Sequence, residues 1–276
     1  MSSKAVAWTI LSAMSLAAVL LFNYWASFQP LSTLAYSGIV LALGGLANLV
    51  LPFRFLGVHK RAVGALVLAG GVALSLAALF WPASLIRVAQ PRTRLDDIMP
   101  EYQFFERHST RIHAPSEQVM QAIRQSTFAD MKSLVTLLTI RRAALPAHNN
   151  GAFLQDMRIL DAFSASGYLF GGSGREIVMA GVWNVREQRR PEVRTLQEFT
   201  VYREQGAVKM AYDFTVEDAG SGWSTISTET RIQALDDITC RGVGRYWRLI
   251  VPGSGLLRLQ WLEGIKNRAE RMPNPR

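Results

Sequence analysis

The chain has 276 residues, with 30 Lys and Arg against 21 Asp and Glu, and a single cysteine. One cysteine excludes an internal disulfide framework, so a folded domain must be stabilised by its own core. The positive charge is dispersed, whereas nucleic-acid-binding proteins usually cluster it on one face, so we expect no nucleic-acid partner. Dispersed arginines favour a solvated surface with some attraction for anionic lipid headgroups.

Residues 1–86 form a candidate membrane region, because they carry four basic side chains and no Asp or Glu. Three uncharged apolar runs, at about 5–25, 31–53 and 62–81, each approach the roughly 20 residues that a helix needs to cross a bilayer. Aromatic residues lie at their borders, as in interfacial belts. The sequence therefore predicts three transmembrane helices. A retained first helix is favoured over a signal peptide, since no small-residue cleavage site follows it.

Small residues recur at helical spacing in the second and third runs, at Gly38, Ala42 and Gly45 and at Gly71 and Ser75. Such faces permit close approach of two helices. We expect these faces to pack the chain's own spans together, with homodimerisation as the alternative. The oligomeric state is left open.

Basic residues set the expected orientation of the spans. Lys4 and the loop between the second and third runs, which carries Arg54, Lys60 and Arg61, would lie on the cytoplasmic side. Three spans then place the rest of the chain on the outer, periplasmic side of a bacterial-type inner or plasma membrane. Three arginines within residues 87–94 favour the opposite orientation.

The remaining chain begins with a predicted linker over residues 87–100, which has prolines and mixed charge. Residues 102–113 alternate and predict a strand. Ser116 then caps a helix whose apolar residues recur at helical spacing. A second helix is expected over residues 129–138, and residues 141–151 indicate an irregular turn region.

Antiparallel strands and a terminal helix are expected to follow. The expected strands are residues 152–162, 166–170, 176–185, 207–217 and 223–234, with residues 196–202 ambiguous. The last two strands should pair as a hairpin. Residues 236–271 predict a helix that Pro252 and Gly253 bend or interrupt. This order predicts an α+β domain in which an antiparallel sheet wraps a long C-terminal helix.

Four motifs within residues 101–271 carry a resemblance to a known family. They are residues 112–119 (IHAPSEQV), residues 174–178, residues 227–232, and the terminal segments 246–250, 252–254 and 265–270. In this order they resemble the START-like or SRPBCC superfamily, which is polyketide cyclase-like and has a helix-grip fold. The resemblance implies a hydrophobic cavity between sheet and terminal helix that holds a lipid or other apolar molecule. It implies no shared catalytic residue or cofactor, and it covers neither the membrane region nor the tail, residues 272–276.

Seven side chains are candidates for binding such a ligand. The apolar candidates are Trp183, Tyr212, Phe214, Trp247 and Trp261, and the polar candidates are Glu229 and Arg231. The two polar residues share one strand face and would anchor a headgroup. A packed core is the alternative for the aromatic residues. A cross-strand ion pair, for example with Arg175, is the alternative for Glu229 and Arg231.

Metal, nucleotide and nucleophile chemistry are not predicted. The histidines, His59, His108, His113 and His148, lack metal-ligand spacing with a carboxylate and are interpreted as surface or interfacial residues. The glycine-rich segments lack the residues of a phosphate-binding loop. Cys240 is interpreted as a packing thiol.

The sequence therefore predicts a membrane-tethered module that binds or transfers a lipid or other hydrophobic small molecule, and a binding protein is favoured over an enzyme. One alternative is a cyclase- or hydratase-like enzyme, whose acid–base pair would come from Glu176, Asp213 and Glu229. Another is a structural membrane protein whose domain packs solid.

Overall fold

The computed structural model describes residues 18, 19, 21, 29–50, 61–131 and 156–273 of the chain. The chain divides into two compact units. The helical unit comprises Met1–Ala83 and Arg241–Ser254, and the sheet unit comprises Ser84–Cys240 and Gly255–Arg276. The first half of the terminal helix thus groups with the apolar helices. The sequence did not predict this grouping.

Two helices of the helical unit are long and apolar enough to cross a membrane, and the described ranges contain no others. They are α1 (Pro30–Val50) and α2 (Arg61–Phe80), which match the second and third predicted spans. Of the first predicted span, only Ala18, Val19 and Leu21 are described, and all three are helical. The rest of that span lies outside the described residues.

Glycines let α1 and α2 approach each other closely. A Cβ atom added at Gly45 or Gly71 would lie closer than 3.0 Å to backbone atoms of the other helix, a distance that real Cβ atoms essentially never show. The Ser75 hydroxyl donates a hydrogen bond to the Ala35 carbonyl at 3.0 Å. The predicted packing of the small-residue faces of these two spans against each other is therefore confirmed.

In the part of the sheet unit that the structure describes, seven strands and four short helices precede the terminal helix. In chain order they are β1 (Ile86–Arg87), α3 (Arg94–Ile98), β2 (Glu101–Tyr102), β3 (Phe104–Ile112), α4 (Ser116–Gln125), α5 (Ile159–Ala165), β4 (Leu169–Ser173), β5 (Glu176–Asn184), α6 (Leu196–Val201), β6 (Ala207–Gly220) and β7 (Trp223–Ala234). The terminal helix α7 (Asp237–Ala269) follows. Asp236 caps α7, because its carboxylate accepts hydrogen bonds from the N–H groups of Ile238 and Thr239.

Five strands form one antiparallel sheet in the order β3-β7-β6-β5-β4, while β1 and β2 pair separately. The predicted hairpin of β6 and β7 is confirmed. Its turn runs through Gly220, Ser221 and Gly222, all with positive φ, which explains the two glycines. The antiparallel sheet and the C-terminal helix agree with the predicted fold class.

The sheet contributes to a core on each of its faces, because side chains alternate along each strand. The inner face packs on α4 and the second half of α7; its core contains Ile112, Met179, Phe214, Ile226, Trp261 and Ile265. The outer face packs on α3 and α6; its core contains Leu95, Met99, Val178, Ala180, Phe199 and Ala211. Two separate cores therefore stabilise the sheet.

The segment predicted as a linker, residues 87–100, contains regular structure. It includes α3 and its C-cap residue Met99, and it buries Leu95 and Met99 in the outer core. Its polar residues include a capping box, in which the Thr93 side chain and the Asp96 carboxylate each bind the other's backbone N–H. The polar pattern that suggested a solvated linker thus belongs to a helix N-terminus.

Other sequence-based element assignments need correction. The strand predicted over residues 152–162 is wrong where the structure describes it, because α5 begins at Ile159 and its N-terminal Arg158 pairs with Asp161 at 2.7 Å. The ambiguous residues 196–202 form α6. Of the helix predicted over residues 129–138, the described part is a 3₁₀ turn at Phe128–Asp130. The predicted turn region 141–151 lies outside the described residues.

The terminal helix is continuous through Pro252, so the predicted interruption is wrong. Proline has no N–H to donate to the carbonyl four residues earlier, which belongs to Arg248. The neighbouring carbonyl, that of Leu249, accepts a hydrogen bond from the Tyr36 hydroxyl at 2.6 Å. Contacts from α1 thus support the helix near its missing internal bond.

The glycine contacts predict that substitutions at adjacent glycines differ in their effect on stability. Gly45→Ala and Gly71→Ala should each destabilise the helical unit by about 1–3 kcal/mol, because a methyl group would be forced against the other helix. Gly44→Ala and Gly70→Ala are the matched controls, since a Cβ there meets nothing within 4 Å. Thermal melting of the full chain in detergent would measure the difference. Equal melting temperatures within each adjacent pair would contradict the packing.

Candidate functional site

A polar groove of about 380 Å³ lies on the outer face of the sheet. Strands β6 and β7 form its floor, and the N-terminal end of α3 and the β4–β5 turn form its walls. The residues that line it include Arg92, Asp96, Arg107, Arg175, Glu176, Asp213, Thr215, Ser227, Glu229 and Arg231. The groove therefore combines carboxylates, guanidinium groups and hydroxyls in one concave surface.

Arg231 is a cation of this groove that several hydrogen bonds hold in place. It is buried, and it donates hydrogen bonds to Asp96 at 2.7 Å, to Glu229 at 2.6 Å and to the Met99 carbonyl at 3.1 Å. Its guanidinium carbon lies 4.6 Å from the ring centroid of Tyr102. Burial raises the pKa of Asp96, but hydrogen bonds from neighbouring backbone N–H groups and from Arg231 outweigh it and lower that pKa below its usual value. The arrangement is a buried ion-pair network that joins α3 to β7.

All three acids proposed for an enzymatic site face this groove. The Asp213 carboxylate accepts hydrogen bonds from the Glu229 backbone N–H at 2.6 Å and from the Thr215 hydroxyl at 3.1 Å. Burial, assisted by the negative charge of Glu229, raises the pKa of Asp213 to about 7 despite these bonds. Glu176 accepts hydrogen bonds from the first backbone N–H groups of α3, at 2.8 and 2.9 Å.

The groove can therefore offer a proton donor or acceptor near neutral pH. A carboxyl group with a pKa near 7 is well matched to general acid–base chemistry at that pH. Glu176 instead accepts hydrogen bonds from the backbone at the N-terminus of α3. Among the described residues, no group of three His, Cys, Asp or Glu side chains is arranged to hold a metal ion.

A second polar cluster lies on the inner face, where strand register places Glu106, Thr230 and Tyr212 side by side. Glu106 and Thr230 are almost fully buried. His108 lies beside the row, with its Nε2 atom 3.7 Å from a Glu106 carboxylate oxygen. Burial raises the pKa of Tyr212. Four polar side chains thus share the space between the sheet and α7.

Arg258 of α7 covers this inner cluster. Its Nε atom lies 4.0 Å from a Glu106 carboxylate oxygen, and its guanidinium carbon lies 4.6 Å from the Tyr212 ring centroid and 5.5 Å from that of Trp261. Arg258 is only 7% exposed. Within the described ranges, its Nη1 atom and the Thr230 hydroxyl have no hydrogen-bond partner. Buried polar groups are nearly always hydrogen-bonded, so these two atoms mark an incomplete network.

The structure separates the predicted ligand-binding residues into groups. Phe214 and Trp261 form an edge-to-face pair at 4.6 Å, and Tyr212 lies 5.6 Å from Phe163 in the same cluster. Glu229 and Arg231 lie on the opposite face, in the groove.

The other two predicted residues are Trp183 and Trp247. Trp183 is half-buried on the inner face of β5 beside Arg190, and Trp247 belongs to the helical unit. Among residues of the sheet unit, Glu229 and Arg231 therefore lie on the opposite face of the sheet from Tyr212, Phe214 and Trp261.

Glu106, His108 and Arg258 were not predicted as site residues. The interpretation of His108 as a surface or interfacial residue is wrong, because its side chain is buried. A signal was present, since Glu106 and His108 alternate in phase with Phe104 and Ile112, which mark the inner side of β3. For Arg258, the signal was a charge within the apolar stripe of the terminal helix.

Comparison with known proteins gives no match: no family model, no curated protein and no solved structure matches the chain. The resemblance to the START-like superfamily therefore stays a prediction.

The raised pKa of Asp213 predicts a specific dependence of stability on pH. The fold favours the protonated carboxyl, so its stabilising contribution is complete below the unfolded pKa near 4 and is lost as the pH rises through about 7. The loss is of the order of 4 kcal/mol. Thermal melting of the full chain should show a fall in melting temperature between pH 5 and pH 8 that Asp213→Asn abolishes.

Glu217→Gln provides the matched control, because Glu217 is exposed on the same face of β6. That variant should keep the wild-type fall in melting temperature. Parallel curves for the wild type and Asp213→Asn would contradict a buried, protonated Asp213.

Proposed function

We propose that this chain is a membrane-tethered module that binds or transfers a lipid or other hydrophobic small molecule between the inner face of its sheet and the terminal helix. Arg258 would bind the anionic end of that ligand. The proposal rests on one observation: a buried guanidinium group with an N–H group that no described residue accepts, stacked over the half-buried ring of Tyr212.

The chemistry of Arg258 favours an anionic headgroup. Removing a guanidinium from water costs several kcal/mol unless its charge and its donors are both compensated. Glu106 compensates part of the charge, but its carboxylate stands 4.0 Å from the Arg258 Nε atom, beyond hydrogen-bond distance. A carboxylate or phosphate oxygen at Nη1 would form a charge-assisted hydrogen bond, about twice as strong as a neutral one.

The surroundings of Arg258 favour an apolar remainder of the ligand. The guanidinium carbon lies within 5.5 Å of the ring centroids of both Tyr212 and Trp261. Further along the inner face, Met210 and Trp183 are only half-buried, although β5 and β6 are inner strands of the sheet. A hydrocarbon chain running from Arg258 along these two side chains would bury that remaining apolar surface.

The apolar helices support a location at a membrane. In the proposed arrangement α1, α2 and the first predicted span, residues 5–25, hold the chain in the bilayer, where amphiphiles are concentrated. The distribution of basic residues favours the outer side for the sheet unit. The order of strands and helices supports a helix-grip fold of the START-like type, in which the ligand lies between sheet and terminal helix.

Ligand occupancy of the full chain would test this function. We expect native mass spectrometry of the wild type, released from mild detergent, to show a bound amphiphile with an acidic end. Arg258→Gln should reduce its occupancy roughly tenfold or more, because one charge-assisted hydrogen bond is worth about 1.5–3 kcal/mol. Arg124→Gln, an exposed substitution on α4, is the control and should leave occupancy unchanged.

A second variant separates ligand loss from misfolding. Arg258→Gln removes the guanidinium group that faces Glu106, whereas Glu106→Gln/Arg258→Gln removes both charges. The double variant should fold and still lack the amphiphile. Wild-type protein without any bound amphiphile, or equal occupancy in the double variant, would overturn the proposal.

A second candidate function is an enzyme that uses Asp213 as general acid or base in the outer groove. The pKa of about 7 for this buried carboxyl is the observation that favours it. Small molecules that co-purify with the wild type and with Asp213→Asn would distinguish the two functions. An enzyme should carry product in the wild type and substrate in the variant, so the bound masses would differ. Identical masses would contradict catalysis by Asp213.

A further inference from the structure

The first half of the terminal helix is attached to one end of the apolar helix pair. The Arg248 guanidinium donates hydrogen bonds to the carbonyls of Leu79 and Trp81, at 2.6 and 2.7 Å. The last carbonyls of a helix have no partner within it, and Arg248 supplies one at the end of α2. The Tyr36 hydroxyl, near the start of α1, binds the Leu249 carbonyl. Residues 241–254 therefore lie at the level where α1 begins and α2 ends.

Large aromatic side chains are exposed at this same level. Phe80, Trp81 and Tyr246 are each 61% exposed, and Leu249 is 42% exposed. Tryptophan and tyrosine are enriched where a membrane meets water, because one part of the ring system is apolar and the other can hydrogen-bond. Exposure of three large rings at one helix end is therefore typical of a headgroup-level belt.

The charge of the helical unit has one sign only. Neither Met1–Ala83 nor Arg241–Ser254 contains an Asp or Glu. Arg241 and Arg245 are exposed one helical turn apart, and the Arg245 guanidinium carbon lies 5.1 Å from the Phe80 ring centroid. Arg248 is already bound to α2, so Arg241 and Arg245 are the two exposed arginines of residues 241–254. No acid within the unit can neutralise them.

We propose that Arg241, Arg245, Phe80, Trp81 and Tyr246, here called the headgroup patch, bind the phosphate groups of anionic phospholipids. The aromatic rings lie at the depth of the lipid headgroups, and the two arginines bind the phosphates. Each such cation near an anionic membrane surface adds attraction that salt screens. The proposal rests on the proposed membrane location of α1 and α2, and it is independent of any ligand at Arg258.

Lipid titration of the full chain in neutral detergent would test the patch. We expect phosphatidylglycerol to raise the melting temperature and to be retained in native mass spectra in preference to phosphatidylcholine. Arg241→Gln/Arg245→Gln should weaken phosphatidylglycerol retention roughly tenfold or more and remove the preference. High salt should reduce the preference of the wild type.

Arg124→Gln/Arg271→Gln is the matched control, because it removes two exposed arginines from the sheet unit. This control should keep the wild-type preference. An unchanged preference in Arg241→Gln/Arg245→Gln, or an equal loss in the control, would overturn the headgroup patch.

Alkaline carbonate extraction of membranes separates this outcome from failure of the tether. If the wild type stays in the membrane fraction but shows no lipid preference, the headgroup patch alone is wrong. If the wild type is extracted as a peripheral protein, the proposed membrane tether is wrong. The headgroup patch, which depends on that tether, is then wrong as well.

Discussion

The alternation of side chains along β5, β6 and β7 is the constraint on which the sheet unit depends. Each strand supplies one set of residues to the inner core and the next set to the outer core, so a shift of one residue would exchange them. In β6, Tyr212 and Phe214 face α7 while Asp213 faces the groove. Both candidate sites are consequences of the same register, since each lies where polar residues replace apolar ones in that alternation.

The two sites differ in how completely their buried arginine is hydrogen-bonded. On the outer face, Arg231 is matched by Asp96 and Glu229 at hydrogen-bond distance, so the network is complete at that residue. On the inner face, Arg258 stands at 4.0 Å from Glu106 and keeps an N–H group without a described acceptor. Networks that are complete stabilise a structure, whereas incomplete ones are costly and are tolerated where a ligand completes them. This contrast favours the inner face as the proposed binding site.

Most of the architecture was predictable from sequence, because it follows from periodicity. Apolar runs of span length predicted α1 and α2, and alternating residues predicted β3. β-Branched and aromatic residues predicted β5, turn residues 218–222 predicted the β6–β7 hairpin, and an apolar stripe predicted α7. The failures involve short elements whose residues have a second interpretation. Residues 94–98 contain acids that cap α3 and were interpreted as linker charge. Residues 159–165 are too short for helical periodicity to be distinguished from a strand.

The candidate sites were predicted less well, because they depend on contacts between distant parts of the chain. Glu229 and Arg231 were correctly placed on one strand face, but their partner Asp96 lies 135 residues from Arg231. The aromatic candidates were chosen by residue type, and residue type alone does not determine their location in the fold. Arg258 meets Glu106 only after the sheet has folded against α7, so no local pattern relates the two.

Pro252 has a consequence for the kinetics of the terminal helix. A helix that lacks one internal hydrogen bond opens more easily at that point than along the rest of its length. The missing bond spans Arg248 to Pro252, just before Ser254, where α7 passes from the helical unit to the sheet unit. Amide hydrogens in this turn would exchange with solvent through local opening. The first half of α7 would stay held by hydrogen bonds to α1 and α2, and the second half by the inner core. The terminal helix is thus continuous in the structure, but we expect its two halves to open independently of each other.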